Sequence, residues 1–222
     1  MKHLFEYSIG DTFYIGQNEF IVLNDYGGVG GRYAVIAKNF YDQDTIFGET
    51  NNWENSPIRN ELLVRYCSEE LERYISPHNI IPMVRPLRSL DGLNDYNECI
   101  DRVSLLTAFE YATYHEVLGL NSDYPSLWWL ITPTSTPSNG YSHSVCCVDS
   151  CGILGWGDCG YSRGVRPFFN LESYTLVSNE PWDTTDESQI LNNNVGDIEI
   201  DITEFEKGLK NLMGGDFIDD IS

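Results

Sequence analysis

Trp128-Trp129-Leu130-Ile131-Thr132-Pro133 is answered downstream by Arg163-Gly164-Val165-Arg166-Pro167-Phe168-Phe169-Asn170-Leu171. Two adjacent tryptophans open one strand, and a second segment runs through Gly-Val-Arg-Pro. Paired aromatic strands with an arginine between them mark the centre of one compact domain. Trp128, Trp129 and Arg166 are therefore expected in the core, together with Trp53, Trp156 and Phe168. Arg163 and Arg166 brace that core, Arg166 by pairing with a buried carboxylate or with strand carbonyls.

Around this centre the chain of 222 residues is long enough for one sizeable core plus an appendage. Its 14 Tyr, 10 Phe and 5 Trp supply large buried area per residue. The formal charge of −21 is the dominant bulk property. Such a field repels nucleic-acid phosphate and anionic lipid, so direct nucleic-acid or membrane binding is not expected. It favours cationic partners: metal ions, basic protein surfaces, or a protein's nucleic-acid groove occupied by mimicry.

Upstream, the first half alternates as a β-meander. Thr12 to Ile15 and Glu19 to Leu23 flank the turn Gly16-Gln17-Asn18, and the glycine loop from Asp25 to Gly31 leads into Arg32 to Ala37. That loop joins two strands rather than a strand to a helix, which argues against a phosphate cradle. Ser56 and Pro57 suit the N-cap and first position of a helix that places Ile58, Leu62, Leu63 and Tyr66 on one face. Ser68-Glu69-Glu70-Leu71 opens a short second helix. Asp101 to Leu106 reads as a strand running into a helix from Thr107 to Leu118, with Ser104 or Thr107 as cap, Glu110 completing a capping box and Gly119 as stop.

Downstream, Pro133 to Tyr141 is a loop rich in Ser, Thr and Pro. His143 to Val148 and Ile153 to Trp156 pair about the turn Asp149-Ser150-Cys151-Gly152. After residue 179 the character changes: residues 180–222 carry 12 acidic and 2 basic residues. Within that tail, Ile198, Ile200 and Ile202 alternate as in an edge strand. Phe205, Leu209, Leu212 and Met213 fall on one side of a short capped helix. This strand-and-helix hook has no core of its own and needs a surface to dock on.

Several chemistries can be weighed from residue types. Cys146, Cys147, Cys151 and Cys159 match the ligand count of zinc but not its spacing, and neighbours on a strand point to opposite faces. Without a secretory signal, all six cysteines are expected as free thiols. His115 and His143 have no nucleophile motif beside them. Asp42, Asp44, Glu49 and Glu54 share a loop region but lack a regular calcium-ligand spacing.

The ordered landmarks resemble those of the DUF6273 family of domains of unknown function. They are the opening meander around Phe20 to Leu23, Asn51-Asn52-Trp53-Glu54-Asn55-Ser56-Pro57-Ile58-Arg59, Asp101 to Leu106, the Trp-Trp-Leu cassette and Gly164-Val165-Arg166-Pro167. The resemblance spans residues 8–172. It implies the C-type-lectin-like fold shared with formylglycine-generating enzymes, and an origin in Firmicutes, their phages or prophages. It implies architecture far more than activity. This chain departs from the family pattern where Ile131-Thr132 replaces an Arg-Ser pair, and where Cys151 stands in place of Asp.

The expectation is an α+β, C-type-lectin-like mixed-sheet domain over residues 1–179, with two or three helices, followed by an acidic linker and docking hook over 180–222. The protein is expected to bind a protein partner, basic or itself nucleic-acid-binding, without catalysis, cofactor or metal. Thr134, Ser138, Asn139 and Tyr141 of one loop and Asp158 and Tyr161 of another carry the adaptable side chains of a recognition surface. Ile198, Ile200, Phe205, Leu209 and Leu212 of the tail would dock on a neighbour, with self-association as one outcome. A virion or adaptor component is the first expectation, and an acidic inhibitor of a host defence protein such as a CRISPR nuclease is the alternative. No signal peptide opens the chain, so host cytoplasm or virion is the expected location.

Overall fold

The structure is a computed structural model describing residues 1–119 and 127–183. It is a sheet-rich α+β domain in which two principal sheets share one core. The first sheet runs in the order Thr12–Ile15, Asn18–Tyr26, Arg32–Ala37, Phe168–Glu172, Ile80–Ile81, and Val103–Ser104 also pairs with Phe168–Glu172. The second runs Leu154–Asp158, Ser144–Val148, Trp128–Pro133, Ser162–Val165, Asp42–Ile46. Both hairpins of the opening meander form at the turns expected from their glycines.

The Gly-Val-Arg-Pro segment is not one strand. Ser162–Val165 lies parallel to the Trp-Trp strand, with Trp128 opposite Gly164, whereas Phe168–Glu172 pairs with Arg32–Ala37 in the other sheet. The crossing falls at Arg166-Pro167, where proline has no N–H to give to a ladder. Arg166 is fully buried there. Its Nε donates to the Ala37 carbonyl at 2.6 Å, and its guanidinium lies 5.4 Å from the centre of the Trp128 ring. One side chain thus stitches both sheets together, and of the two partners expected for Arg166 the strand carbonyl is present.

Helix α1, Pro57–Glu61, starts as the sequence suggests, with Ser56 Oγ accepting from the Ile58 N–H at 3.2 Å. The expected second helix at Ser68 is not separate. The chain continues from α1 without a break as a π-helix over Leu62–Leu71, which closes with the Glu72 N–H on the Cys67 carbonyl. The buried positions 62, 66, 67 and 71 recur every four to five residues. An i→i+5 winding gathers such positions on one stripe, which a 3.6-residue helix does not. Helix α2, Ala108–Tyr114, carries the full capping box between Thr107 and Glu110.

The remaining pairs close the ends. Lys2–His3 meets Leu176–Val177, and Met83–Pro86 meets Glu98–Asp101. The chain stays on the body through Trp182, whose N–H reaches the Gly16 carbonyl and whose ring meets Tyr74 edge-on at 5.7 Å. No described helix is long and apolar enough to cross a membrane.

Candidate functional site: an exposed aromatic sheet edge

Among the described residues, Leu154–Asp158 forms one margin of the five-stranded sheet and is paired on one side only, with Ser144–Val148. The turn before it is held by the Asp149 carboxylate, which accepts from the N–H groups of Cys151 and Ile153, both at 2.8 Å. Gly152 at φ +77° takes the left-handed position that completes this turn. Along the strand, Leu154, Trp156 and Asp158 share one face, and Gly155 and Gly157 the other.

Trp156 is 72% exposed. The expectation that it joins the core is overturned, and register explains why. Its cross-strand neighbour Cys146 is fully buried, as is Trp128 further into the sheet. Helix α2 lays Tyr111 against Trp128, with ring centres 5.6 Å apart, and the Tyr111 hydroxyl reaches the Gly152 carbonyl at 2.6 Å. That cover ends before the outer strand, so Trp156 projects beyond it.

Tyr161 and Tyr141 flank the Asp158 end of the same strand, at 64% and 62% exposure. Both are held by their backbones, the Tyr161 N–H on the Asp158 carbonyl at 3.0 Å and the Tyr141 N–H on the Thr136 carbonyl at 3.3 Å. Asp158 itself accepts from the Gly160 N–H at 2.9 Å, which fixes the turn that presents Tyr161. Aromatic rings on rigid supports lose little entropy on binding, which suits them to anchor a protein contact.

The rest of the Pro133 to Tyr141 loop is tied down. Ser138 gives its N–H and hydroxyl to Asp95 at 2.9 and 2.8 Å. Asn139 donates to Asp91 at 3.4 Å and to Ser135 at 3.3 Å, while the Ser135 hydroxyl donates to Asp91 at 2.5 Å. The Thr134 hydroxyl donates to the Ser144 carbonyl at 3.2 Å. These hydrogen bonds hold Asp91 and Asp95 below the usual carboxylate value. Thr134, Ser138 and Asn139 thus shape the loop, with Ser138 and Asn139 also exposed, and Tyr141, Tyr161 and Asp158 face solvent at the edge. Beneath the loop, fully buried Asn51 donates to the carbonyls of Ser135 and Ser144 and accepts from Tyr96 at 2.7 Å. Sequence reasoning missed that hub, as its partners lie 84, 93 and 45 positions away.

Trp53, Trp128 and Trp129 are fully buried. The Trp53 Nε1–H donates to Asp101 at 2.8 Å, and Trp129 gives its own to the Thr45 carbonyl at 2.9 Å. Ile198, Ile200, Phe205, Leu209 and Leu212 lie outside the described residues.

Elsewhere, a cleft of about 490 Å³ between α1 and the opposite margin of the same sheet is lined by Tyr41, Asp42, Glu61 and Arg65 among others. Burial and the bond to Glu61 push the Tyr41 phenol up to about 12, so it stays protonated at neutral pH. Glu61 is engaged by Tyr41 and by Arg65. Asp42 sits below its ordinary value because the Asp44 N–H binds it, and the acids of that loop do not converge. Among the described residues no group of three or more His, Cys, Asp or Glu is placed to hold a metal ion. All six cysteines are unpaired thiols, with Cys151 exposed and the other five buried.

No curated protein and no solved structure matches the chain. Residues 30–173, which hold the landmark motifs from Trp53 to Pro167 and the exposed edge, match the family described as domain of unknown function DUF6273, and the chain belongs to that family.

Proposed function

We propose that the protein is a non-catalytic protein-binding module on a C-type-lectin-like scaffold, of phage or prophage origin, serving as a structural or adaptor component of an assembly. The observation that carries this reading is Trp156, which stands in solvent on a rigid sheet margin while Trp53, Trp128 and Trp129 are fully buried. An exposed tryptophan flanked by Tyr141 and Tyr161 has the composition of an interface centre. The order of motifs shared with the family supports the lectin-like architecture, and host cytoplasm or virion is the location that goes with it.

Charge favours a second reading. At −21 the chain could act as an inhibitor that occupies the nucleic-acid site of a basic host defence protein, an anti-CRISPR activity among them. The two readings separate by light scattering and partner capture with the full chain, a version ending at Asp183, and the double variant Trp156→Ala/Tyr161→Ala. Assembly predicts self-association or capture that survives moderate salt and is lost in the double variant. Inhibition predicts one basic nucleic-acid enzyme, recovered at low salt and released at high salt. Identical behaviour of the full chain and the double variant would remove the aromatic edge from either account.

A further inference from the structure

Among the described residues, the outer margin of Leu154–Asp158 lacks the usual guards of a sheet edge. Natural edges are blunted by lysine, proline, bulges or an overlying segment. Here the pairing with Ser144–Val148 runs through five residues without a bulge. No Lys or Arg occurs anywhere in residues 103–162, and the strand contains no proline. On one face stand Leu154, Trp156 and Asp158. On the other, the space beside Gly155 is open, and the place of a side chain at Gly157 is filled by the Arg163 guanidinium. That guanidinium lies 4.9 Å from the centre of the Trp129 ring and so stiffens the edge from beneath.

We infer that this edge accepts an extended, cationic segment of a partner protein as a sixth strand of the sheet. Its Arg or Lys side chains lie over Trp156 towards Asp158, and its small apolar residues lie over Gly155. This inference rests on the reading of the edge as a protein-contact surface and adds the partner's chemistry. Backbone hydrogen bonds to the open margin supply sequence-tolerant affinity, and alternate side chains supply selection. Selection for cations follows from the surroundings. Asp149 and Asp158 bracket the strand and Glu116 lies in the hollow beside Leu154, whereas the Arg163 guanidinium is set against Gly157, on the face opposite Trp156 and Asp158. A cation over Trp156 meets both the ring face and the Asp158 carboxylate. A second copy of the chain is a poor occupant. Antiparallel self-pairing about Trp156 sets each Asp158 against the Leu154 of the other copy, desolvating two carboxylates without a counter-charge.

The test is binding of the labelled peptide acetyl-Arg-Val-Arg-Val-Arg-Val-amide to the full chain, followed by fluorescence anisotropy at low salt. Three changes should each weaken binding by about tenfold or more: Trp156→Ala in the protein, N-methylation of every peptide amide, and glutamate in place of each arginine. Trp156 is exposed, so the variant should keep the wild-type melting temperature, which serves as the folding control. Equal binding of the N-methylated peptide would mean charge attraction without strand addition and would overturn the inference. Equal binding by Trp156→Ala, or by the glutamate peptide, would overturn it too. So would dimerisation of the unliganded chain that disappears in Trp156→Ala. Trp156-dependent capture of a partner without any binding of the arginine peptide would overturn the cationic-strand inference and leave the protein-binding reading standing. Loss of neither capture nor peptide binding in the variant would remove both.

Discussion

Replacing Glu110 tests the internal frame of the molecule. Arg85 reaches Glu110 with both terminal nitrogens, Nη1 to Oε1 at 2.7 Å and Nη2 to Oε2 at 2.6 Å, and also donates to the Leu105 carbonyl. The Arg85 side chain is 2% exposed and the Glu110 side chain 24%. Removing the acid strands a buried guanidinium, and breaking such a pair costs about 3–5 kcal/mol. Arg85 keeps Leu105 and the Phe168 ring face, 5.2 Å from ring centre to guanidinium, so the lower end applies. Losing the reciprocal half of the capping box with Thr107 adds roughly 1 kcal/mol. Glu110→Ala should therefore cost about 4 kcal/mol, a large share of the roughly 5–15 kcal/mol a domain possesses. Thr107→Ala should cost only about 1 kcal/mol. Arg85→Met should cost less than Glu110→Ala, because Glu110 can still hydrate and keeps Thr107. The double variant Arg85→Met/Glu110→Leu should recover most of the loss, since apolar replacement of both partners is often neutral.

The assay is urea unfolding followed by tryptophan fluorescence, with ΔG compared at unchanged slope. Acidity adds a second readout. Burial pushes the Glu110 carboxyl up, but the Arg85 and Thr107 bonds outweigh it and leave the group below its ordinary value. Its contribution is then present above the unfolded value of about 4.3 and is lost as pH falls through the folded one. The gap between wild type and Glu110→Gln should close on acidification. A loss under about 1 kcal/mol for Glu110→Ala, or a larger loss for Arg85→Met, would refute the asymmetry argument.

Three other outcomes follow from particular contacts. Asp101→Asn leaves one donor, Trp53 Nε1–H or Arg59 Nε–H, without its carboxylate oxygen, so it should lose about 2–3 kcal/mol in the same unfolding assay. Corrected for the intrinsic pH dependence of exchange, the protection of the Ser138 amide, which donates to Asp95, should fall as pH drops through the depressed values of Asp91 and Asp95, since their contribution is full above the ordinary carboxylate value and is lost through the depressed one; protection that ignores acid would contradict the pinned-loop geometry. In the native protein at neutral pH a thiol reagent should titrate Cys151 rapidly and the other five cysteines only after unfolding, because burial pushes Cys146 up to about 12 and Cys67 and Cys99 to about 11.

The legible parts of this chain are those decided within a few residues. The Ser56 cap, the Thr107–Glu110 box, the glycine turns of the meander and the Asp149 hairpin all depend on neighbours at spacings of two to four, so composition and period disclose them. The exposed edge was not legible. With Gly155 and Gly157 on one strand face, Trp156 reads as the core side, yet Arg163 covers Gly157 and it is the Trp156 face that meets solvent. The π-helix was not legible, because its buried spacing departs from the 3.6 period only after Leu62.

By itself, the sequence determined the caps, the turns, the aromatic wealth that makes a core and the acidic charge that selects cationic company. Tertiary structure alone decided which strands are neighbours, and hence that Arg166 joins two sheets, that Arg85 meets Glu110 across 25 positions, and that Asn51 gathers a loop from 84 and 93 positions away. The same topology left Trp156 in solvent and Trp128, two strands further in, in the core. The physical reason is that burial belongs to a place in the sheet order rather than to a residue type: an identical indole is core in a central strand and surface on a margin that no further described strand covers.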